Sequence, residues 1–288
     1  KPVIAFVTGG YSSESVISYK SAITIEKNVD KELFDVYRID ITPEKWFHLT
    51  ADGNEIIVDK NDFSLQFHSK KITFDAVLIG IHGTPGEDGK LQGYFDLMNL
   101  SYTSCDASSS AITFNKRYTC AIAGASGFHV AKSKVIFKND FNGGTDFLRD
   151  LSLPLFVKPN NGGSSIGISK VNTIDELKPA IKKAFNEDNQ VLVEEFIQGR
   201  EFTIGVFKSD GEIKTLPFTE IKTENEFFDF EAKYQGKSTE ITPAVCKAET
   251  AQLVRNAAKG IYALFNCNGV VRMDFIFNEQ DNKPYLLE

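Results

Sequence analysis

The sequence predicts an α/β protein that opens on a doubly wound unit and continues as mixed strand-and-helix (α+β) structure. Three observations carry that expectation. An apolar run, Val3 to Thr8, breaks at Gly9-Gly10 into a helical pattern. A second apolar run, Ala76 to Ile81, ends in a polar, glycine-rich loop. Beyond Val135, short strand-like runs are interrupted by amphipathic helical stretches. Strand, tight glycine turn and helix is how a doubly wound unit begins, with the helix N-terminus facing a ligand crevice.

The bulk properties narrow the class. A chain of 288 residues exceeds one average domain, and 42% apolar with 25% charged residues is an ordinary globular composition. A net charge of −7 disfavours a nucleic-acid backbone as partner. No apolar run approaches a membrane span, and no signal-like pattern opens the chain. Cys105, Cys120, Cys246 and Cys267 are scattered and have no partner at zinc-site spacing, so they read as reduced thiols of a cytoplasmic protein.

Taken in order, Ser12 or Ser13 is placed to cap a helix whose apolar positions are Val16, Ile17, Ala22, Ile23 and Ile25. Glu14 falls in its first turn, where complementing the helix dipole is the simplest role. Phe34 to Ile41 reads as a second strand and Ala76 to Ile81 as a third. The loop His82-Gly-Thr-Pro-Gly-Glu87-Asp-Gly89 then sits at the end of a parallel strand, where such folds bind ligands. His82 lacks metal-ligand company and suits an orienting hydrogen bond or a plain loop position.

Ser101 to Ser110, rich in small residues, marks a possible boundary. Asn115-Lys116-Arg117 starts a helix that Gly124 stops, with Lys116 either a solvated charge or a phosphate contact. Val135 to Phe137 and Leu155 to Val157 are strands, Thr173 to Phe185 is an amphipathic helix, and Gln190 runs as a strand into Glu194 and Glu195. Phe202 to Phe207, the helix Lys247 to Phe265, and the strands Val270 to Phe277 and Pro284 to Glu288 complete the pattern. Phe227 to Gly236, aromatic and charged without a period, suggests a functional loop.

The chemistry concentrates at three places. Lys158-Pro-Asn-Asn-Gly162-Gly163-Ser164-Ser165-Ile-Gly167 is either a flexible hairpin loop or a phosphate cradle. Its glycines let N–H groups converge, and its lysine and hydroxyls add donors. Glu195 is either a plain exposed strand end, or Val193 to Ile197 lines an adenine slot with main-chain groups for the ring edge and Glu194 for the amine; Glu201 either binds a ribose hydroxyl or has no such role. Arg272 and Asp274, two apart on one strand, share a face. They form either a structural ion pair or a divided pair, with Asp274 on a hard cation and Arg272 on an anionic transition state. Glu288, on the neighbouring strand, adds a carboxylate, and Lys116, Lys158 and Lys233 suit phosphate oxygens. Together these are the parts for Mg²⁺-nucleotide chemistry.

The order of these motifs resembles the D-alanine–D-alanine ligase family of the ATP-grasp superfamily. The likeness runs through Gly9-Gly10-x-Ser12-x-Glu14, the His82 to Gly93 segment, Asn115-Lys116, the Lys158 to Gly167 loop, Glu194 to Glu201, Glu231-Ala-Lys233-Tyr234 and Arg272-x-Asp274. The resemblance implies a substrate domain at 1–104 and two ATP-grasp lobes at 105–193 and 194–288. It implies ATP, two Mg²⁺ ions that Mn²⁺ can replace, two D-alanine molecules, a homodimer, and a role in peptidoglycan precursor synthesis.

Carried over by motif, Glu14 binds the first D-alanine ammonium in a network with Ser164 and Tyr234. His82 and Glu87 orient the amino acids or that network. Lys116, Lys158, Lys233, Ser164 and Ser165 hold phosphates. Glu194, the Glu195, Phe196 and Ile197 main chain, and Glu201 hold adenosine. Arg272 stabilises the oxyanion, and Asp274 with Glu288 binds metal.

Two departures stand out: Ser15 follows Glu14 where the family commonly has Arg, and Glu195 stands where Lys is frequent. The family's metal-binding Asn and its second-substrate loop would follow Glu288, where the sequence breaks off in an apolar run as a truncated chain does. Alternatives are a ligase that joins D-alanine to D-lactate or D-serine, another ATP-grasp carboxylate–amine ligase, and a nucleotide-binding domain without catalysis. Tyr234 favours the dipeptide-forming type.

Overall fold

The computed structural model describes residues 1–223 and 238–288. The chain divides into two compact units, Lys1–Ala111 and Ile112–Glu288.

The first unit is an eight-stranded sheet with helices. Its elements are β1 (Val3–Gly9), α1 (Ser15–Asn28), β2 (Asp35–Ile41), β3 (Trp46–Leu49), β4 (Glu55–Asp59), β5 (Ser64–Phe67), β6 (Lys70–Ile72), β7 (Ala76–Ile79), α2 (Lys90–Leu97), β8 (Ser101–Tyr102) and the start of α3 (Ala107–Phe114). The sheet order is β6-β5-β4-β3-β2-β1-β7-β8. The β1, β2, β7 and β8 core is parallel, and β3 to β6 extend it as an antiparallel meander. β1 lies between β2 and β7, so the loops leaving β1 and β7 adjoin at the carboxyl ends of the strands, the crevice such sheets use for ligands. The core packs Val7, Ile39 and Ile41 with Phe63, Leu65, Leu91 and Phe95, all essentially excluded from solvent.

Two expectations are corrected here. Glu14, not Ser12 or Ser13, occupies the N-cap of α1, and it makes no side-chain cap bond. Ser12 Oγ instead accepts from the Glu14 N–H at 3.3 Å. The buried positions of α1 are Ser18 and Ala22, while Val16 and Ile23 are 58% and 53% exposed. Small residues let the helix approach β1, and Ser18 is needed for polar work, since its hydroxyl accepts from the His82 N–H at 2.9 Å. The β3 to β6 meander has no counterpart in the sequence reading.

The second unit carries α4 (Lys116–Ala125), β9 (His129–Val130), β10 (Ser133–Phe137), β11 (Leu155–Pro159), β12 (Ser169–Val171), α5 (Ile174–Ala184), β13 (Gln190–Glu195), β14 (Arg200–Ser209), β15 (Glu212–Thr215), β16 (Thr219–Thr223), β17 (Ser238–Ile241), α6 (Ala248–Leu264), β18 (Val270–Asn278) and β19 (Lys283–Leu286). β10-β13-β11-β12 form one antiparallel sheet. β17-β16-β14-β18-β19-β9 form a second sheet, with β15 paired to β14. Gly124 lies inside α4, which ends a residue later at Ala125.

Each sheet buries one face under one helix. Thr173 and Glu176 form a capping box that starts α5, whose Leu177, Ala180, Ile181 and Ala184 pack on Ile136, Leu155, Val157, Val191 and Val193. α6 buries Val254, Ala258, Ile261 and Tyr262, and packs against β14 and β18, whose Phe202, Ile204 and Phe275 are excluded from solvent. Because side chains alternate along a strand, the opposite faces are left for function.

Candidate functional site

In the first unit, the site grows from the two crevice loops. Tyr11 N–H donates to Thr84 O at 2.8 Å, tying the loop after β1 to the loop after β7. Glu14 is buried beside Gly83. Gly83 has φ +72°, and a Cβ there would lie 2.6 Å from both Glu14 Oε2 and Ser12 Oγ, so only glycine lets the main chain come this close to the carboxylate. Glu87 is exposed, and its Oε2 accepts from the Gly83 N–H at 2.6 Å, which braces the loop. His82 Nε2 lies 3.1 Å from Ser21 Oγ. Glu14, His82 and Glu87 thus gather around the Gly83 loop. A buried carboxylate at a loop crevice is a site for an ammonium group.

In the second unit, register sets the chemistry. Lys158 is opposite Leu192, and Phe156 is opposite Glu194. Directly opposed residues share a face, so Lys158 and Glu194 meet on the face that α5 leaves open. They form a buried ion pair at 2.5 Å. Burial works to lower the Lys158 pKa, but the Glu194 carboxylate and its hydrogen bond outweigh it and hold the pKa above the ordinary lysine value. In the protein alone, then, Glu194 answers a lysine rather than standing apart for a purine amine.

Lys116 is likewise buried, which sets aside the solvated reading. Its Nζ lies 3.0 Å from Glu288 Oε1 and donates to Gly162 O at 2.5 Å. Asn160 explains why it sits there. Its carbonyl accepts from Lys116 N–H at 3.1 Å, and its Oδ1 from Arg117 N–H at 2.9 Å, while its own N–H donates to Gln190 O at 2.9 Å. The fully buried Asn160 therefore locks the Gly/Ser loop to the first turn of α4, which Asn115 caps by accepting from Tyr118 N–H at 3.1 Å. Sequence reasoning passed over Asn160 as one more polar loop residue. Along the loop, Gly162, Ser164, Ser165 and Gly167 have φ of 94°, 54°, 58° and 75°, left-handed positions that turn the loop tightly.

Of the Glu195 to Ile197 segment, two N–H groups are already used. Glu195 N–H donates to Lys132 O at 2.9 Å and Phe196 N–H to Pro154 O at 3.0 Å, so neither is at hand for a ring edge. The Glu195 side chain accepts from Ser152 N–H at 2.9 Å, a structural duty. The Phe196 ring packs beside Phe156, with centroids 5.8 Å apart, and Lys170 Nζ sits 4.7 Å from its centroid.

On the second sheet, Glu201, Thr203 and Gly205 of β14 oppose Ile276, Asp274 and Arg272 of β18. Glu201, Asp274 and Arg272 therefore share one face, away from α6. Arg272 Nη2 lies 3.1 Å from Asp274 Oδ2, so the structural ion pair is real, and the arginine side chain is 66% exposed. Asp274 is also tied to Glu288, whose carbonyl accepts its N–H at 2.9 Å. Asp274 Oδ1 is buried without a hydrogen-bond partner. An orphaned, buried carboxylate oxygen has the donor chemistry of a hard-cation ligand. Among the described residues no group of three or more His, Cys, Asp or Glu could hold a metal ion. Tyr234, Lys233 and most of the expected lid lie outside the described residues. No described helix is long and apolar enough to cross a membrane.

Two sheets of one unit, each covered by a helix on one face and bearing paired charges on the other beside a Gly/Ser loop, define an ATP-grasp protein. A family model described as the D-ala D-ala ligase N-terminus matches residues 3–105, and one described as its C-terminus matches residues 122–288. The D-alanine–D-alanine ligase of Flavobacterium johnsoniae is 46% identical over 285 residues, spanning 99% of this chain and 88% of that protein. The crystal structure of the VanG D-Ala:D-Ser ligase from Enterococcus faecalis matches with a TM-score of 0.86 at 30% identity, covering 100% of this chain and 89% of that one. The D-alanine–D-alanine ligase of Bacillus anthracis, solved in complex with ATP, gives a TM-score of 0.77 at 26% identity, covering 100% and 85%. The chain belongs to the D-alanine–D-alanine ligase family.

Proposed function

We propose that the protein joins two D-alanine molecules into D-alanyl-D-alanine, cleaving ATP to ADP and phosphate, for peptidoglycan precursor synthesis. The observation that carries this reading is the set of pre-paired cations, Lys158 with Glu194 and Lys116 with Glu288, at the rim of the left-handed Gly/Ser loop.

A carboxylate is a poor electrophile, so activation comes first. One carboxylate oxygen of the first D-alanine attacks the γ-phosphorus, ADP leaves, and an acyl phosphate forms. The deprotonated amine of the second D-alanine then adds to the acyl carbon, and the tetrahedral intermediate expels phosphate. Lys116, Lys158 and Lys233 neutralise the phosphates, with Ser164, Ser165 and the loop N–H groups donating to them. Glu194 and Glu201 hold adenosine with the Ile197 N–H. Glu14 takes the first ammonium, linked to Ser164 and Tyr234, and His82 and Glu87 steady that loop. Arg272 stabilises the oxyanion. Asp274 and Glu288 would hold Mg²⁺, or Mn²⁺, which when bound neutralises phosphate charge and polarises the γ-phosphorus. The lid from Phe227 to Thr242 would exclude water from the acyl phosphate.

This reading divides the chain into a substrate domain, 1–104, and two ATP-grasp lobes, 105–193 and 194–288. It carries with it a cytoplasmic homodimer.

A second reading, D-serine as the second substrate, is favoured by the likeness to VanG. Tyr234 argues against it, since a phenol completes the hydrogen-bonded network without setting a charge beside the second substrate. Full-length protein supplied with ATP, Mg²⁺, D-alanine and D-serine in equal amounts is expected to release D-alanyl-D-alanine with one phosphate per dipeptide. Phosphate release without dipeptide, or a mixed product in excess, would overturn the substrate assignment.

A further inference from the structure

The chain crosses from the second sheet to the first between β9 and β10, and beside that crossing lies a groove of about 400 Å³. Its walls are Arg117, Cys120 and Ala121 of α4, Val130 of β9, Ser133, Lys134, Val135 and Phe137 of β10, and Leu192 of β13. None of the Gly/Ser loop and none of residues 194–197 line it, but Ser133 and Leu192 of its lining stand directly opposite Glu194 and Lys158, so it adjoins the nucleotide-binding groups named above without including them.

Its chemistry is specific. Among the described residues the Arg117 guanidinium makes no ion pair. It rests 5.6 Å from the ring centroids of both Tyr118 and Phe137. Lys134 does not add a second cation, because its ammonium pairs with Asp150 at 3.0 Å, and strand alternation sends its side chain to the opposite face from Ser133 and Val135. The remaining walls are mostly apolar, with the Ser133 hydroxyl as a polar exception. One unpaired fork-shaped cation on an aromatic edge, over an apolar floor of this volume, matches a carboxylate on an apolar body.

The groove adjoins the charged cluster on the same face of the sheet. Leu192, in its floor, is in register with Lys158 on one side and Val135 on the other. Cys120, in its wall, feels the Glu194, Lys158, Lys116 and Glu288 charges. Arg117 follows Lys116 directly, and Asn160 accepts from both of their N–H groups. A ligand that moves Arg117 therefore acts on the turn that aims Lys116.

We propose that this groove is a second small-molecule site, for an apolar or aromatic monocarboxylate, coupled to the nucleotide site. The coupling rests on the nucleotide reading above; the site itself does not.

The test is calorimetric titration of full-length protein with 1-naphthoate. Saturable one-to-one binding is expected, weakened about tenfold by Arg117→Met, the effect of losing one charge-assisted pair. Binding of the neutral 1-naphthalenemethanol should change less than about twofold in that variant. Ala121→Trp, which fills the mouth, should abolish both. With a saturating non-hydrolysable ATP analogue present, naphthoate should still bind, its Kd shifted at least about twofold, and the analogue's Kd should shift by the same factor. No saturable binding, or equal affinity in wild type and Arg117→Met, would overturn the site. Complete displacement by the analogue, or no mutual shift, would overturn its independence or its coupling. If the analogue alone fails to bind, the nucleotide reading and the coupling fall, and the Arg117→Met and Ala121→Trp arms still decide the groove.

Discussion

The two units hold their carboxylates in opposite ways. In the first, Glu14 is buried against the Gly83 main chain and Glu87 accepts the Gly83 N–H, so backbone geometry fixes the acids. In the second, Glu194, Glu288 and Asp274 each meet a lysine or arginine. On the proposed reading, the first arrangement presents negative charge to an ammonium. On the same reading, the second keeps cations in place, neutralised until phosphates compete for them. One fold thus carries a cation reader and an anion reader, and a ligase of two amino acids by way of a phosphate needs both.

The comparison breaks most visibly at Glu194. Glu194→Leu strands the buried Lys158 charge and is expected to cost about 3–5 kcal/mol in urea unfolding. Adding Lys158→Met should recover most of that loss, and a double-mutant cycle without such coupling would show that the pair is not what holds this face together.

The first unit should respond through binding instead. Glu14→Gln removes a charge-assisted bond to the ammonium, and steady-state kinetics should show KM for D-alanine raised roughly 10- to 100-fold with ATP affinity unchanged. Loss of both affinities together would mean that Glu14 supports the fold rather than the substrate.

Asn160→Ala is a subtler probe, because it removes acceptors from the Arg117 N–H without touching any charge. A stability loss of about 1–3 kcal/mol is expected, with weakened ATP binding as Lys116 loses its aim.

The smallest effect lies at Cys120. Burial, with the Glu194 charge adding, pushes its thiol pKa up to about 11. A thiol that stays protonated longer in the folded state makes stability fall as pH rises from about 9, the thiol's ordinary value, to about 11. Cys120→Ala should flatten the stability profile over that interval relative to wild type.

The sequence exposes some of this and hides the rest for physical reasons. β1 and β7 are short, nearly unbroken apolar runs because a parallel sheet is buried on both faces, and such runs are legible. The β3 to β6 meander is not, since short strands such as Glu55–Asp59 mix exposed and buried positions without a clean period. The motif residues could be named, but not their partners. Lys158 and Glu194 meet only because β11 and β13 pair in one register, and a cross-strand register is a property of the sheet rather than of the spacing. For the same reason Asn160 looked like loop filler until its two acceptors fell on α4.

The central claim is that the carboxylate of one D-alanine is phosphorylated before the peptide bond forms. D-alanine labelled with ¹⁸O in its carboxylate, turned over with ATP, tests it directly. The account predicts that one labelled oxygen passes into inorganic phosphate for every dipeptide made. Dipeptide formed with unlabelled phosphate would contradict it.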